Sequence, residues 1–150
     1  MDETQNSAAE SGSKRFRAAR IFSVPDDVKF LDTLELTRLS EAFSAWTARA
    51  GRPDVAVSRN RVRLIYLMLR HTGARLGEVL AVNDRTDVDL EHLSVMLGGG
   101  EDGPGREVQI PAELGEALAA VFDDPAYATL RGALFRLDQG HVRRKFYERA

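Results

Sequence analysis

Arginine is the side chain through which this sequence could do chemistry. Of 21 basic residues, all but Lys14, Lys29 and Lys145 are arginine. The planar guanidinium fork matches the paired oxygens of a phosphate better than the point charge of a lysine does. The arginines are also segregated. Lys14, Arg15, Arg17 and Arg20 follow an acidic start, and Arg59, Arg61, Arg63, Arg70 and Arg75 occur without an intervening acid. A last group comprises Arg143, Arg144, Lys145 and Arg149. Between these clusters lies an acidic stretch from Asp84 to Glu107, so the net charge of −2 conceals basic and acidic regions. Such clusters either hold phosphates or decorate solvated faces, and clustering alone does not choose between them.

Other chemistries are poorly supplied. With no cysteine, thiol nucleophiles, disulfides and thiolate metal sites are excluded, and His71, His92 and His141 are too scattered to suggest a metal centre. Neither a metal nor a cofactor is expected. The Gly98-Gly99-Gly100 run looks like a phosphate cradle, but it joins two expected strands with no helix behind it. It is followed by Glu101 and Asp102, so nucleotide binding there is not expected.

These residues need a scaffold, and 150 residues provide one domain with a core of ordinary size. No apolar run reaches the ~18 residues of a membrane-spanning helix, and the first residues lack the apolar stretch of a secretory signal, which suggests a cytoplasmic protein. Residues 1–13 read as a disordered acidic tail and 14–27 as a basic arm or linker, leaving 28–150 as the folded domain. Asp32 is placed to cap a first helix with Glu35 in the capping-box position. Leu36, Leu39, Phe43, Trp46 and Ala50 then form its apolar stripe as far as Gly51. Ser58 suggests the cap of a second helix over 59–71, apolar all round in its middle, with Gly73 ending it and a short helix over 76–82 following. The period then changes to two, giving strands around Val88 and Leu90, Leu93 to Leu97, and Val108 to Ile110. Pro111 opens another helix, 123–129 reads as a loop, and Asp138 caps a last helix with Val142 and Phe146 inward. The fold class is mainly α with a small three-stranded antiparallel sheet.

The segment His71-Thr72-Gly73-Ala74-Arg75-Leu76-Gly77-Glu78 resembles the first arginine box of the tyrosine recombinases, the phage integrase family. Asp87-Val88-Asp89 is similar to the family's first strand, and Arg106-Glu107-Val108-Gln109-Ile110-Pro111 to its third strand and following helix start. Phe30 to Leu36 resembles the first helix of the catalytic domain, and Leu134-Phe135 with Val142 to Phe146 the region just before the His-x-x-Arg box. The resemblance implies the N-terminal part of a tyrosine-recombinase catalytic domain. It makes Arg75 the family's first arginine, a catalytic position that stabilises the phosphate under attack. It implies double-stranded DNA as partner and no membrane, and is compatible with self-association on DNA and a further C-terminal domain. Gln139, His141 and Arg143 become base-reading candidates on the last helix. Arg144 and Lys145 there, Arg59, Arg61 and Arg63 on the second helix, and Lys14, Arg15 and Arg17 in the arm become further DNA contacts.

The resemblance also exposes gaps. The hairpin position at which the family carries its general-acid lysine falls near Gly99 or Gly100, and no lysine occurs between Lys29 and Lys145. His141-Val142-Arg143-Arg144 has the bare His-x-x-Arg string but fits the preceding helix better. Tyr147 reads as an ordinary helix tyrosine rather than the nucleophile. These 150 residues are therefore not expected to transfer strands by themselves. The first reading is a DNA-binding domain without catalysis, such as the DNA-reading part of a bacterial transcription regulator. The alternative is the front of an active site-specific recombinase that carries out DNA integration and recombination. A protein-interaction domain without a DNA role is the third.

Overall fold

In a computed structural model, the described residues are 31–99 and 103–150. The expected tail and arm, with Lys14, Arg15 and Arg17, lie outside them, as do Gly100, Glu101 and Asp102. The chain divides at Thr33, and the elements below belong to the unit Leu34–Ala150 apart from the first residue of α1.

Helix α1 spans Thr33–Ala48, starting right after Asp32, and buries Phe43 and Trp46 one turn apart. Helix α2 spans Pro53–Thr72. It begins six residues before the expected start, because Pro53 initiates it rather than marking the gap between helices. Proline has no N–H to leave unpaired at the first helical position, and its fixed φ suits the helix. Arg52 before it is extended (φ −134°), and Asp54 places a negative charge in the first turn. Residues Leu64 to Met68 are all buried, as expected of a central helix.

The end of α2 sets up the arginine box. Gly73 adopts φ +70°, a left-handed conformation that glycine enters without a Cβ penalty, and its N–H bonds to the Leu69 carbonyl at 3.2 Å. The Thr72 hydroxyl donates to the Met68 carbonyl at 2.6 Å and accepts the Ala74 N–H at 3.2 Å. The chain therefore leaves α2 in a bonded turn and starts the short α3, Leu76–Leu80, immediately after Arg75.

Strands β1 (Val88–Asp89), β2 (Ser94–Gly98) and β3 (Gly105–Gln109) form the expected antiparallel sheet in the order β1-β2-β3. Val88 pairs with Val95, and Val95 with Val108. Val95 and Leu97 are buried while Met96 between them is exposed, the alternation of a sheet packed on one face. Pro111 is the residue just before α4, Ala112–Phe122. The expected loop after it contains a 3₁₀ helix, Pro125–Leu130. Asp124 caps it by accepting the Ala126 N–H at 2.9 Å, and Tyr127 is buried within it.

Helix α5, Gln139–Arg149, has Asp138 as its cap, the carboxylate accepting the His141 N–H at 2.9 Å. Val142 is fully buried, and Phe146 packs edge-on against Phe43 and Tyr66. The core thus fixes one face of α5 and leaves the other to solvent. Among the described residues no helix is long and apolar enough to cross a membrane.

Candidate nucleic-acid interface

Among the described residues, two regions carry exposed cations from the segments singled out in the sequence, while other exposed arginines, such as Arg38, Arg85 and Arg136, lie elsewhere. The first is a cleft of about 370 Å³ between the start of α3 and the β2–β3 hairpin, lined by Arg75, Glu78, Gly98, Gly99 and Arg106 among others. Arg75 is exposed at the residue just before α3. Its main-chain N–H donates to Glu78 Oε1 at 2.9 Å, so Glu78 satisfies a helix-start donor that would otherwise be unpaired. The same carboxylate takes a fork from Arg106, with distances of 2.6 Å and 3.1 Å. Glu78 therefore meets Arg75 through the backbone and Arg106 through the side chain. These bonds, Arg106 first and the Arg75 N–H second, hold the Glu78 pKa down to about 2, so the carboxylate stays charged throughout the working pH range.

The second region is the outer face of α5. Gln139, Arg143 and Arg144 are exposed there, whereas His141 and Lys145 are half-buried. Lys145 and Arg149 both lie near the Glu148 carboxylate, at 3.4 Å and 3.6 Å. Arg149 also sits over the Trp46 ring, 4.4 Å from its centre. Tyr147 is 81% exposed on this helix.

The arginines of α2 are employed largely inside the domain. Because the helix begins at Pro53, Arg59 and Arg61 lie beyond its first turn and not at a helix start with N–H groups to offer. Arg59 donates to the Trp46 carbonyl at 2.7 Å, with its guanidinium 5.1 Å from the centre of that ring. Arg61 donates to three carbonyls before α5, those of Leu134, Ala133 and Arg136, at 2.8, 3.1 and 3.3 Å. Arg63 is half-buried and donates to Asn60 Oδ1 at 3.3 Å. Arg70 reaches across to α1, donating to the Ser40 hydroxyl and to the Leu36 carbonyl. A run without acids thus has its partners in main-chain oxygens and neutral side chains, which composition cannot reveal.

Comparison with known proteins shows what this fold is similar to. No family model matches the chain. Over 86 residues, 55% of its length, the chain is 33% identical to the tyrosine recombinase XerA of Thermococcus onnurineus strain NA1, covering 30% of that protein. Its fold matches the crystal structure of XerA recombinase with a TM-score of 0.63 at 24% identity, over 85% of this chain and 43% of that one. The chain is thus similar in part to a tyrosine recombinase and has that protein's fold. It spans less than half the length of either XerA chain.

Within that tyrosine-recombinase frame, two residues of consequence escaped the sequence reading. Arg106 was legible only as part of a strand motif. Its pairing opposite buried Leu97 places both on one sheet face, and the fork to Glu78 depends on α3 lying where it does. Asp84, 1% exposed, organises the approach to α5 through bonds to residues 47 to 50 positions away. Neither pairing has a local signal in the chain.

Proposed function

We propose that this part of the tyrosine-recombinase fold binds duplex DNA without cutting it, and serves as the DNA-reading part of a bacterial transcription regulator. The observation that supports this best is the split character of α5. Val142 and Phe146 anchor it in the core, while Arg143 on the flank and Arg144 on the side opposite Val142 stand exposed. A rigid helix presenting arginines suits a DNA groove, with Arg143 and Gln139 directed to base edges and Arg144 to phosphates. Arg75 supplies one phosphate-stabilising group of the family, while the lysine-free stretch from Lys29 to Lys145 leaves the hairpin without its proton donor.

Salt dependence is the test. Affinity for duplex DNA is expected to fall on the order of a hundredfold between about 50 and 200 mM salt if roughly four phosphates are held. Arg143→Ala should relax preference at one base pair, worth about 1–3 kcal/mol, whereas Arg144→Ala should weaken all sequences alike and make the salt slope shallower by about 1. Salt-independent binding, or a base preference untouched by Arg143→Ala, would refute the reading.

A second reading, the front portion of an active site-specific recombinase, is favoured by the naming of both relatives as recombinases and the share of them that the chain spans. A nicked suicide duplex separates the two. A covalent protein–DNA adduct formed by the protein that carries this segment supports the recombinase, and its absence supports the reader.

A further inference from the structure

Arg106 has more donors than Glu78 uses. The fork takes one N–H from each terminal nitrogen and leaves their second N–H groups, and the Nε–H, for another acceptor. The guanidinium is about half exposed and lines the same cleft as Arg75. Gly98 and Gly99 lie beside it with φ of +72° and +90°, so the hairpin backbone there carries no side chain into the cleft. Two guanidiniums and one carboxylate leave these three groups with a single positive charge, which one phosphodiester would neutralise. An exposed ion pair contributes little to stability, so folding alone gives little reason for this fork.

We propose that Arg106 is the second phosphate-holding cation of the Arg75 cleft, the two guanidiniums clasping one backbone phosphate of duplex DNA while Glu78 holds Arg106 in place. This assignment rests on the DNA-binding reading and adds a contact to it. Arg106 lies on β3, opposite Leu97, so it reaches the cleft from the sheet side while Arg75 enters from the helix side. The Glu78 carboxylate, bonded to the Arg75 main-chain N–H and to the Arg106 guanidinium, ties the Arg106 side chain to the backbone from which Arg75 projects.

The experiment measures binding of the full chain to a fluorescent duplex of mixed sequence across a salt series, for the unsubstituted protein, Arg106→Gln and Arg106→Lys. Arg106→Gln should weaken binding to every sequence on the order of tenfold and make the log–log salt slope shallower by about 0.9. Arg106→Lys should restore the slope but not the full affinity, because an ammonium keeps the charge without the fork. Phenylglyoxal modification of the unsubstituted protein, read by mass spectrometry, provides a measurement independent of folding. Bound duplex should slow modification of Arg106 together with that of Arg75. If the chain binds DNA but Arg106→Gln keeps both slope and affinity, or Arg106 reacts equally fast with and without duplex, the assignment fails alone. If the unsubstituted chain does not bind DNA in a salt-dependent way, the DNA reading fails and takes the assignment with it.

Discussion

Replacing Asp84 with alanine is expected to destabilise the domain by about 3–5 kcal/mol, lowering the melting temperature by roughly 10–20 °C. The carboxylate is 1% exposed and fully used. Oδ1 accepts the N–H groups of Gly132 and Leu134, both at 2.9 Å, and Oδ2 pairs with Arg131 Nε at 2.6 Å. Arg131 in turn lies over the Phe122 ring at 3.8 Å. Alanine would orphan these donors and leave a half-buried guanidinium without its counter-charge, the situation in which removing one partner of a buried pair is most costly. Burial pushes the Asp84 carboxyl pKa up, but the hydrogen bonds from Gly132, Arg131 and Leu134 outweigh it and leave it below the ordinary value of 3.8. A depressed folded pKa means that the stabilisation is complete above the unfolded value and is lost as pH falls through the folded one. The unsubstituted protein should therefore lose stability below about pH 4, and Asp84→Asn should lack that part of the acid dependence. Thermal melts of both between pH 2 and 7 check this. A melting point for Asp84→Asn within about a degree of the parent would contradict the role given to the network.

Asp84 also marks the boundary of what the sequence discloses. Features carried by neighbours along the chain were legible. The stripe through Phe43 and Trp46 gave α1, the alternation around Val95 and Leu97 gave β2, and Asp138 gave the cap of α5. Arg75 was legible because the turn that positions it, Thr72 to Glu78, is local. What was hidden depends on distant partners. Arg59, Arg61 and Arg70 bond to carbonyls 13, 73 and 34 residues away, so their charges looked available in the sequence and are engaged in the fold. The early start of α2 was hidden for another reason. A proline after a glycine serves equally well to end one helix or begin the next, and only packing decides. The candidate interface consequently narrows from Arg59, Arg61, Arg63 and Arg75 to Arg75 itself, joined by Arg106 from the sheet and by the outer face of α5.

That outer face depends on the aromatic cluster beneath it, and Phe43→Ala should reveal the dependence. Phe43 is fully buried, stacked on Tyr66 with ring centres 4.7 Å apart, and meets Phe146 edge-on at 5.4 Å. The cluster joins three helices, with α1 supplying Phe43, α2 Tyr66 and α5 Phe146. Truncation to alanine is expected to cost about 3–5 kcal/mol, combining lost transfer energy, the cavity left behind and the aromatic pairings. Phe43→Leu, which refills much of that space, should cost less than half as much. Urea denaturation measures both, and an unchanged m-value would confirm that the loss lies in the folded state. The Phe146 side chain would lose its main aromatic wall, so α5 should loosen more than the sheet, visible as faster amide exchange from Val142 to Arg149. On the proposed DNA-binding reading, affinity for duplex DNA, measured where the variant is still folded, should then fall although no exposed residue of α5 has been altered. Affinity equal to the parent's, despite that loss of stability, would mean that α5 is not the element that engages DNA.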